Sequence, residues 1–421
     1  MKNAILIIAI LFTIHLNAQI IAPSAEEVVF GYETSFVTKD VTSDPVELAQ
    51  WHASHMFGIF HSPELVYSFG IQPRYLEGIG VPRSDSQIQI VSRSKVQGGK
   101  IQIQYRNKGR ILLQKDIAVK ILQKGSLNLP LPYEIDSIYN VRCTDPHYTT
   151  LGDFWYFYDP YRKGCEYLSQ APYASNTQVS IRPSPKRKME ISPRLDLLRG
   201  ANANGNDFVV YVIHGFEESA IKKTDEGRTN FKEFEVYMQS KGFARQILQK
   251  DQRRPLALHT KQIVLKNGYT MNVKVFHLLV ETSIDSKTVT FAKYFKQAVS
   301  EADIIVYGGH SGLGANLDIP SLEQKAGAFE FNTKKRQIFF FDSCASYSYY
   351  LHSFAAEKTR TRIDIISYGL SSLFQTSQPV LGAFMDILLD PNIEDARWVD
   401  ILQTMEKPLR GSTYLLNVGG V

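Results

Sequence analysis

Cys344 sits two residues past the run Ile338-Phe339-Phe340-Phe341-Asp342, which reads as a strand buried on both faces and closed by a carboxylate. Two histidines, His214 in VVYVIHG and His310 in IIVYGGHSG, likewise stand where apolar β runs end. A thiol and an imidazole brought to one sheet edge can perform acyl transfer. The thiolate adds to a carbonyl carbon, backbone N–H groups hold the oxyanion, and the imidazolium protonates the departing amine. Cys344 precedes the helix-like stretch SYYLHSFAAEK, whose N-terminus is expected to lower the thiol pKa. Asp342 lies on the same side of its strand as Cys344, because side chains alternate with period two. It either caps nearby N–H groups or faces the cleft and attracts a cationic side chain. His214 either lines the same pocket or simply ends its strand.

The elements that must position these residues show two rhythms. From about residue 44 to 178 the signals favour strands and turns: IQIQYRN alternates as a half-buried strand, KDIAVKILQ nearly does, and FWYFYDPY ends at a proline turn, while PVELAQWHASHMFGIF predicts a helix. Residues 181–194 hold three prolines and a Lys-Arg-Lys run and read as part of a linker over 181–204. Beyond it, apolar β runs (DFVVYVIHG, MNVKVFHLLV, DIIVYGGHSG, RQIFFFDSC, RIDIISYGL) alternate with amphipathic helices. That alternation predicts an α/β fold, a mostly parallel sheet flanked by helices, with ligands at the carboxyl ends of its strands. The expected organisation is a mostly β domain at 19–180, the linker, an α/β domain at 205–395 and a C-terminal extension at 396–421.

Residues 1–18 carry Lys2, the apolar run Ala4 to Phe12 and Leu16-Asn17-Ala18, the order of a secretory signal cleaved before Gln19. The protein is therefore expected to be exported, periplasmic or secreted. No stretch approaches the roughly 20 apolar residues of a membrane span. A net charge of +5 spread over 47 basic and 42 acidic residues does not point to nucleic acid. Three cysteines leave one unpaired. Cys143 and Cys165 share one turn-rich segment and are expected to pair, leaving Cys344 free. His52, His55 and His61 have no carboxylate or thiol in register and read as packing on an aromatic helix, so no metal and no cofactor are expected. Oligomeric state is not read from the sequence.

The strand ending in YGGHSG and the later strand ending in FFFDSCAS resemble the histidine and cysteine blocks of the caspase-like cysteine peptidases, the superfamily of caspases, metacaspases, legumain, gingipains and clostripain. The resemblance covers roughly residues 205–390 and implies a caspase-like α/β domain acting on a protein or peptide substrate. By it, His310 is the general acid or base and Cys344 the nucleophile. The oxyanion hole is formed by the N–H of Cys344 and those of Ser311 and Gly312, and Asp342 sits under the pocket for a substrate Lys or Arg. The chain departs from the family in three ways: Ser311 intervenes between His310 and Gly312, the Gln-Ala-Cys signature is absent, and only 34 residues separate His310 from Cys344. Two other readings stay open. GGHSGLG nearly spells the G-x-S-x-G elbow of α/β-hydrolases with Ser311 as nucleophile, although Leu313 stands where glycine is needed. The Ser311 interruption also suits a caspase-like binding module without turnover.

Overall fold

The computed structural model describes residues 19–72, 78–143, 150–185, 190–202, 205–283, 289–358 and 362–419. The signal-peptide reading at 1–18 lies outside them. Strand β1 (Ile20–Ile21) belongs to the larger of two sheets. The next six strands form the smaller one: β2 (Ala25–Thr38), β3 (Gly80–Pro82), β4 (Gln87–Lys95), β5 (Ile101–Gln114), β6 (Ser126–Pro132) and β7 (Ala174–Pro183). Its order is β3-β5-β2-β7-β6, with β4 also on β5, and every pairing is antiparallel. The alternation in IQIQYRN buries Ile101, Ile103 and Tyr105, and they pack against Met56, Ile59 and Phe60 of the helix Pro45–Phe60. Asp44 starts that helix, its carboxylate accepting the N–H of Val46 at 2.6 Å.

Two expected strands are helices. Lys115–Lys124 is helical because Ile117, Ala118 and Ile121 fall on one buried stripe, and Gly125, left-handed at φ 71°, ends it. The FWYF of FWYFYDPY is a single helical turn, Phe154–Phe157. Its aromatic content suggests a strand, but it lacks the strict alternation a strand requires.

The larger sheet adds β8 (Asp207–Gly215), β9 (Ala244–Gln249), β10 (Leu256–Val264), β11 (Thr270–Val280), β12 (Ile304–Gly308), β13 (Gln337–Asp342), β14 (Ile363–Ser367) and β15 (Asn417–Gly419). Its order is β1-β15-β14-β13-β12-β8-β11-β10-β9. The five central strands, β14 to β11, run parallel, and both flanks are antiparallel. The segment 396–421, expected as an extension, supplies β15 and the helix Trp398–Glu406, whose Trp398 is wholly buried.

Period two sorts the central strands between two cores. Val210, Val212, Val306, Ile338 and Phe340 pack under the helices Glu226–Ser240, Phe374–Leu389 and Trp398–Glu406. Tyr211, Ile213, Ile305, Tyr307, Phe339 and Phe341 pack under Val289–Glu301 and Leu351–Glu357, joined there by Phe57, Val81 and Leu112 of the smaller unit. At about 1.5–3 kcal/mol for each fully buried large apolar side chain, this double burial explains the unbroken apolar runs. Among the described residues no helix is long and apolar enough to cross a membrane.

Candidate active site

Three neighbouring parallel strands end level with one another. Gly308 of β12 pairs with His214 of β8 on one side and with Asp342 of β13 on the other. His310 and Cys344 each lie two residues beyond that row, on strands whose axes are spaced by about 4.8 Å. A Cβ at Gly308 would stand 3.6 Å from both Asp342 Oδ2 and His214 Nδ1, so bare backbone separates the carboxylate from the buried imidazole.

His310 is exposed, and its ring is held from behind. Nε2–H donates to the carbonyl of Glu217 at 2.6 Å, so Nδ1 is the ring nitrogen left for proton transfer. Phe374 meets the ring edge-on at 5.0 Å. The Glu217 carbonyl is placed by Asp225, a wholly buried carboxylate that accepts the N–H groups of Glu217, Glu218, Ser219 and Arg228 at 2.8–3.2 Å. Asp225 is also the N-cap of the helix Glu226–Ser240. Gly227 lets that helix approach, since a Cβ there would lie 2.0 Å from the carbonyl of Gly215. Sequence reasoning missed Asp225 and Glu217. An aspartate before an amphipathic helix was the available signal, but a carbonyl contact carries none.

The loop after His310 is pinned from within. The His310 carbonyl accepts from Tyr307 Oη at 2.6 Å and Asn316 Nδ2 at 2.9 Å, and the Ser311 carbonyl from Tyr350 Oη at 2.7 Å. Gly312 takes φ +56°, and a Cβ there would lie 2.4 Å from Asn316 Oδ1, so the turn needs glycine at 312. Among the described residues the N–H groups of Ser311, Gly312 and Cys344 donate to no backbone carbonyl in turns, loops or caps. Ser311 itself is buried and opens a six-residue 3-10 segment broken at Leu313 and Gly314, unlike the long helix that follows a hydrolase elbow.

Cys344 lies in a tight turn out of β13. The Ser346 hydroxyl donates to the Phe341 carbonyl at 2.8 Å and accepts the Tyr368 N–H at 2.9 Å. Ala345 sits left-handed at φ 49°, a conformation costing a non-glycine residue about 1 kcal/mol or more. The half-buried thiol donates to the Ser372 carbonyl at 3.7 Å. Burial pushes its pKa up, and the nearby Asp342 pushes the same way. The expected lowering by a helix N-terminus is therefore not met. The next helix, Ser346–Tyr349, is one turn long, and left-handed Ala345 separates it from the sulfur.

Asp342 continues the face of Ile338 and Phe340 and is nearly buried, with a short hydrogen bond from Ser377 Oγ. Burial raises its carboxyl to about 6, against the opposing effect of the Ser377 and Tyr368 hydroxyls. Its partner is thus a side chain of the helix Phe374–Leu389 rather than nearby backbone N–H groups. His214 is buried at 2% exposure among Phe231, Phe234 and His277, and burial lowers its pKa to about 3. It ends its strand inside the core.

Cys143 and Cys165 are joined, with Cα atoms 5.9 Å apart, and Cys344 is free. His52, His55 and His61 do not converge. His52 is bonded to Tyr105 Oη and the Pro132 carbonyl, and the other two bond carbonyls of their own helix. Burial lowers all three pKa values, to about 3, 4 and 4.

The smaller unit grips the turn beside Cys344. Tyr347 Oη donates to Glu27 Oε1 at 2.9 Å, and Glu27 Oε2 is paired with Arg110 and with Ser184 Oγ, all buried. Ser348 Oγ donates to the Pro82 carbonyl, Ser84 Oγ donates back to the Ser348 carbonyl, and Phe57 stacks on Tyr349.

No family model matches the chain, and no curated protein matches it in sequence. Among solved structures, the chain is similar to a secreted C11 cysteine protease from Bacteroides thetaiotaomicron, with 10% sequence identity and a TM-score of 0.29. The match covers 48% of this chain and 61% of that one, so it spans less than two thirds of that protein.

Proposed function

We propose that the chain is an exported caspase-like cysteine peptidase using a His310/Cys344 dyad. The observation carrying this reading is the register: Gly308 and Asp342 pair at the carboxyl ends of adjacent parallel strands, and His310 and Cys344 each follow two residues later in the chain. Cys344 Sγ gives its proton to Nδ1 of His310 and adds to the substrate carbonyl carbon, and the C=O π pair moves to oxygen. N–H groups of Cys344, Ser311 and Gly312 face the oxyanion. As the C–N bond breaks, the His310 imidazolium gives its proton to the amine, and the neutral ring then takes a proton from the water that cleaves the thioester. Asp342, once ionised, recognises Lys or Arg on the amino side of the scissile bond.

A fluorescent peptidyl acyloxymethyl ketone with arginine next to the warhead should label Cys344 in the folded protein. His310→Ala should abolish peptide turnover, and Asp342→Ala should lose the Arg/Lys preference in a peptide library while labelling persists. Labelling only after denaturation refutes the dyad, and an unchanged preference in Asp342→Ala refutes the specificity.

A binding module without turnover is the second reading, favoured by two contacts of the resting site. The thiol is spent on the Ser372 carbonyl and Asp342 on Ser377. In an active enzyme, segment 371–377 must release both groups when substrate enters. Faster proteolysis or hydrogen exchange there on inhibitor binding separates the two readings.

A further inference from the structure

Glu235, His259 and His277 lie far apart in sequence and meet on the helix-covered face of the larger sheet. His259 pairs with Val275 and His277 with Ala257 across β10 and β11, so the two imidazoles are diagonal neighbours on one face. Glu235 comes down from the helix Glu226–Ser240 that covers this face. One ligand atom from each residue lies within 4.8 Å of the others. Both histidines are completely buried, and among the described residues none of their four ring nitrogens has a hydrogen-bond partner. Such nitrogens are costly in a core unless something meets them. Phe231 stacks on His277 at 3.9 Å and Phe234 meets it edge-on at 4.8 Å, so that ring's plane is already set.

We propose that these three side chains bind a structural zinc ion that ties the helix Glu226–Ser240 to the β10–β11 hairpin. Two imidazoles and a carboxylate suit Zn²⁺, whereas Ca²⁺ and Mg²⁺ require mostly oxygen ligands. Tetrahedral Zn²⁺ at about 2.1 Å from its ligands needs them roughly 3.4 Å apart, a small contraction of the present spacing, and water completes the fourth position. Arg245 opposes the ion: it pairs with Glu235 Oε1 and stands opposite His259 on β9. Glu235 Oε2 is the oxygen left to the metal, and the partly exposed Arg245 and Glu235 form the way in. The tie reaches toward the proposed dyad, because the same helix begins at Asp225, which sets the carbonyl that holds His310.

The test uses the full chain, stripped with a chelator and titrated with ZnCl₂ by calorimetry, with metal content measured after gel filtration. One equivalent should bind and raise Tm. His277→Gln and His259→Gln should each weaken binding by at least about 10-fold, and Arg245→Ala should tighten it. CoCl₂ should give a tetrahedral visible spectrum with the unmodified protein, a readout that needs no variant to fold. Absence of that spectrum, no zinc uptake by folded protein at about 100-fold excess, or uptake unchanged in His277→Gln overturns the proposal.

Discussion

Replacing Asp342 by Asn should stabilise the protein at neutral pH while removing its proposed specificity. The carboxyl is raised from about 3.9 in an unfolded chain to about 6 in the fold, burial being the main cause. A shift near 2 units is worth about 3 kcal/mol between the two protonation states. The native state binds the proton more tightly, so this group's contribution to stability is full below about pH 4. It is lost as pH rises through 6, and above that the buried carboxylate is a net cost. Asn keeps a partner for Ser377 Oγ and cannot ionise. Urea unfolding of both proteins at pH 4 and pH 7.5 isolates the effect, since other titrating groups cancel in the difference. The stability gap, variant minus parent, should grow in favour of the Asp342→Asn variant by about 2–3 kcal/mol from the lower to the higher pH. A gap that does not change with pH, or that moves the other way, shows that Asp342 ionises in the native protein without cost and refutes the reasoning. For an Arg peptide, kcat/KM of the parent should rise through about pH 6, as the carboxylate forms to meet the guanidinium, and the variant should lack that limb.

Asp225→Ala frees four N–H groups and the anchor of the Glu217 carbonyl, so kcat for a peptide substrate should fall while labelling of Cys344 persists; equal loss of both would mark a purely structural role. Glu27→Ala removes one partner of a buried ion pair with Arg110 and should destabilise the protein by about 3–5 kcal/mol, read by urea unfolding. Tyr347→Phe, losing one hydrogen bond, should cost about 1–2 kcal/mol. Reducing the Cys143–Cys165 bridge, a 22-residue separation, should cost about 3 kcal/mol by the loop-entropy estimate, measured with and without reductant.

Much of the larger sheet was legible because its central strands are buried on both faces and therefore read as continuous apolar runs. β9 and β10 carry no such run for the opposite reason. β9 is exposed along its whole length, and β10 mixes His259, Lys261 and Gln262 into a half-covered strand. KDIAVKILQ shows where period is ambiguous: its apolar residues suit either reading nearly equally well, and Gly125 was the better guide. At the candidate site, strand ends placed His310, Asp342 and Cys344 on one edge, because in a parallel sheet the edge follows from strand polarity. What surrounds them did not follow. The raised thiol pKa depends on burial and on the neighbouring Asp342, and the hold on His310 depends on the Glu217 carbonyl. The convergence of Glu235, His259 and His277 depends on a hairpin register that no local pattern announces.

The two sheets are coupled at the point where the chemistry would occur. Ala345 holds a strained left-handed conformation beside Cys344, and such conformations persist only where the surroundings over-determine them. Here the restraint comes from both sides. Within the larger unit, the Ala345 N–H is taken by the Leu370 carbonyl at 3.0 Å and Ser346 ties β13 to Tyr368. From the smaller unit, Glu27, Pro82 and Phe57 hold Tyr347, Ser348 and Tyr349. A chain lacking the smaller sheet would keep His310, whose supports Glu217, Asp225, Tyr307, Asn316 and Phe374 all belong to the larger unit, but would free the turn that carries Cys344. The mostly β unit is therefore the outer wall of the turn that carries Cys344, and its anchors, Glu27 above all, help set the position of that residue.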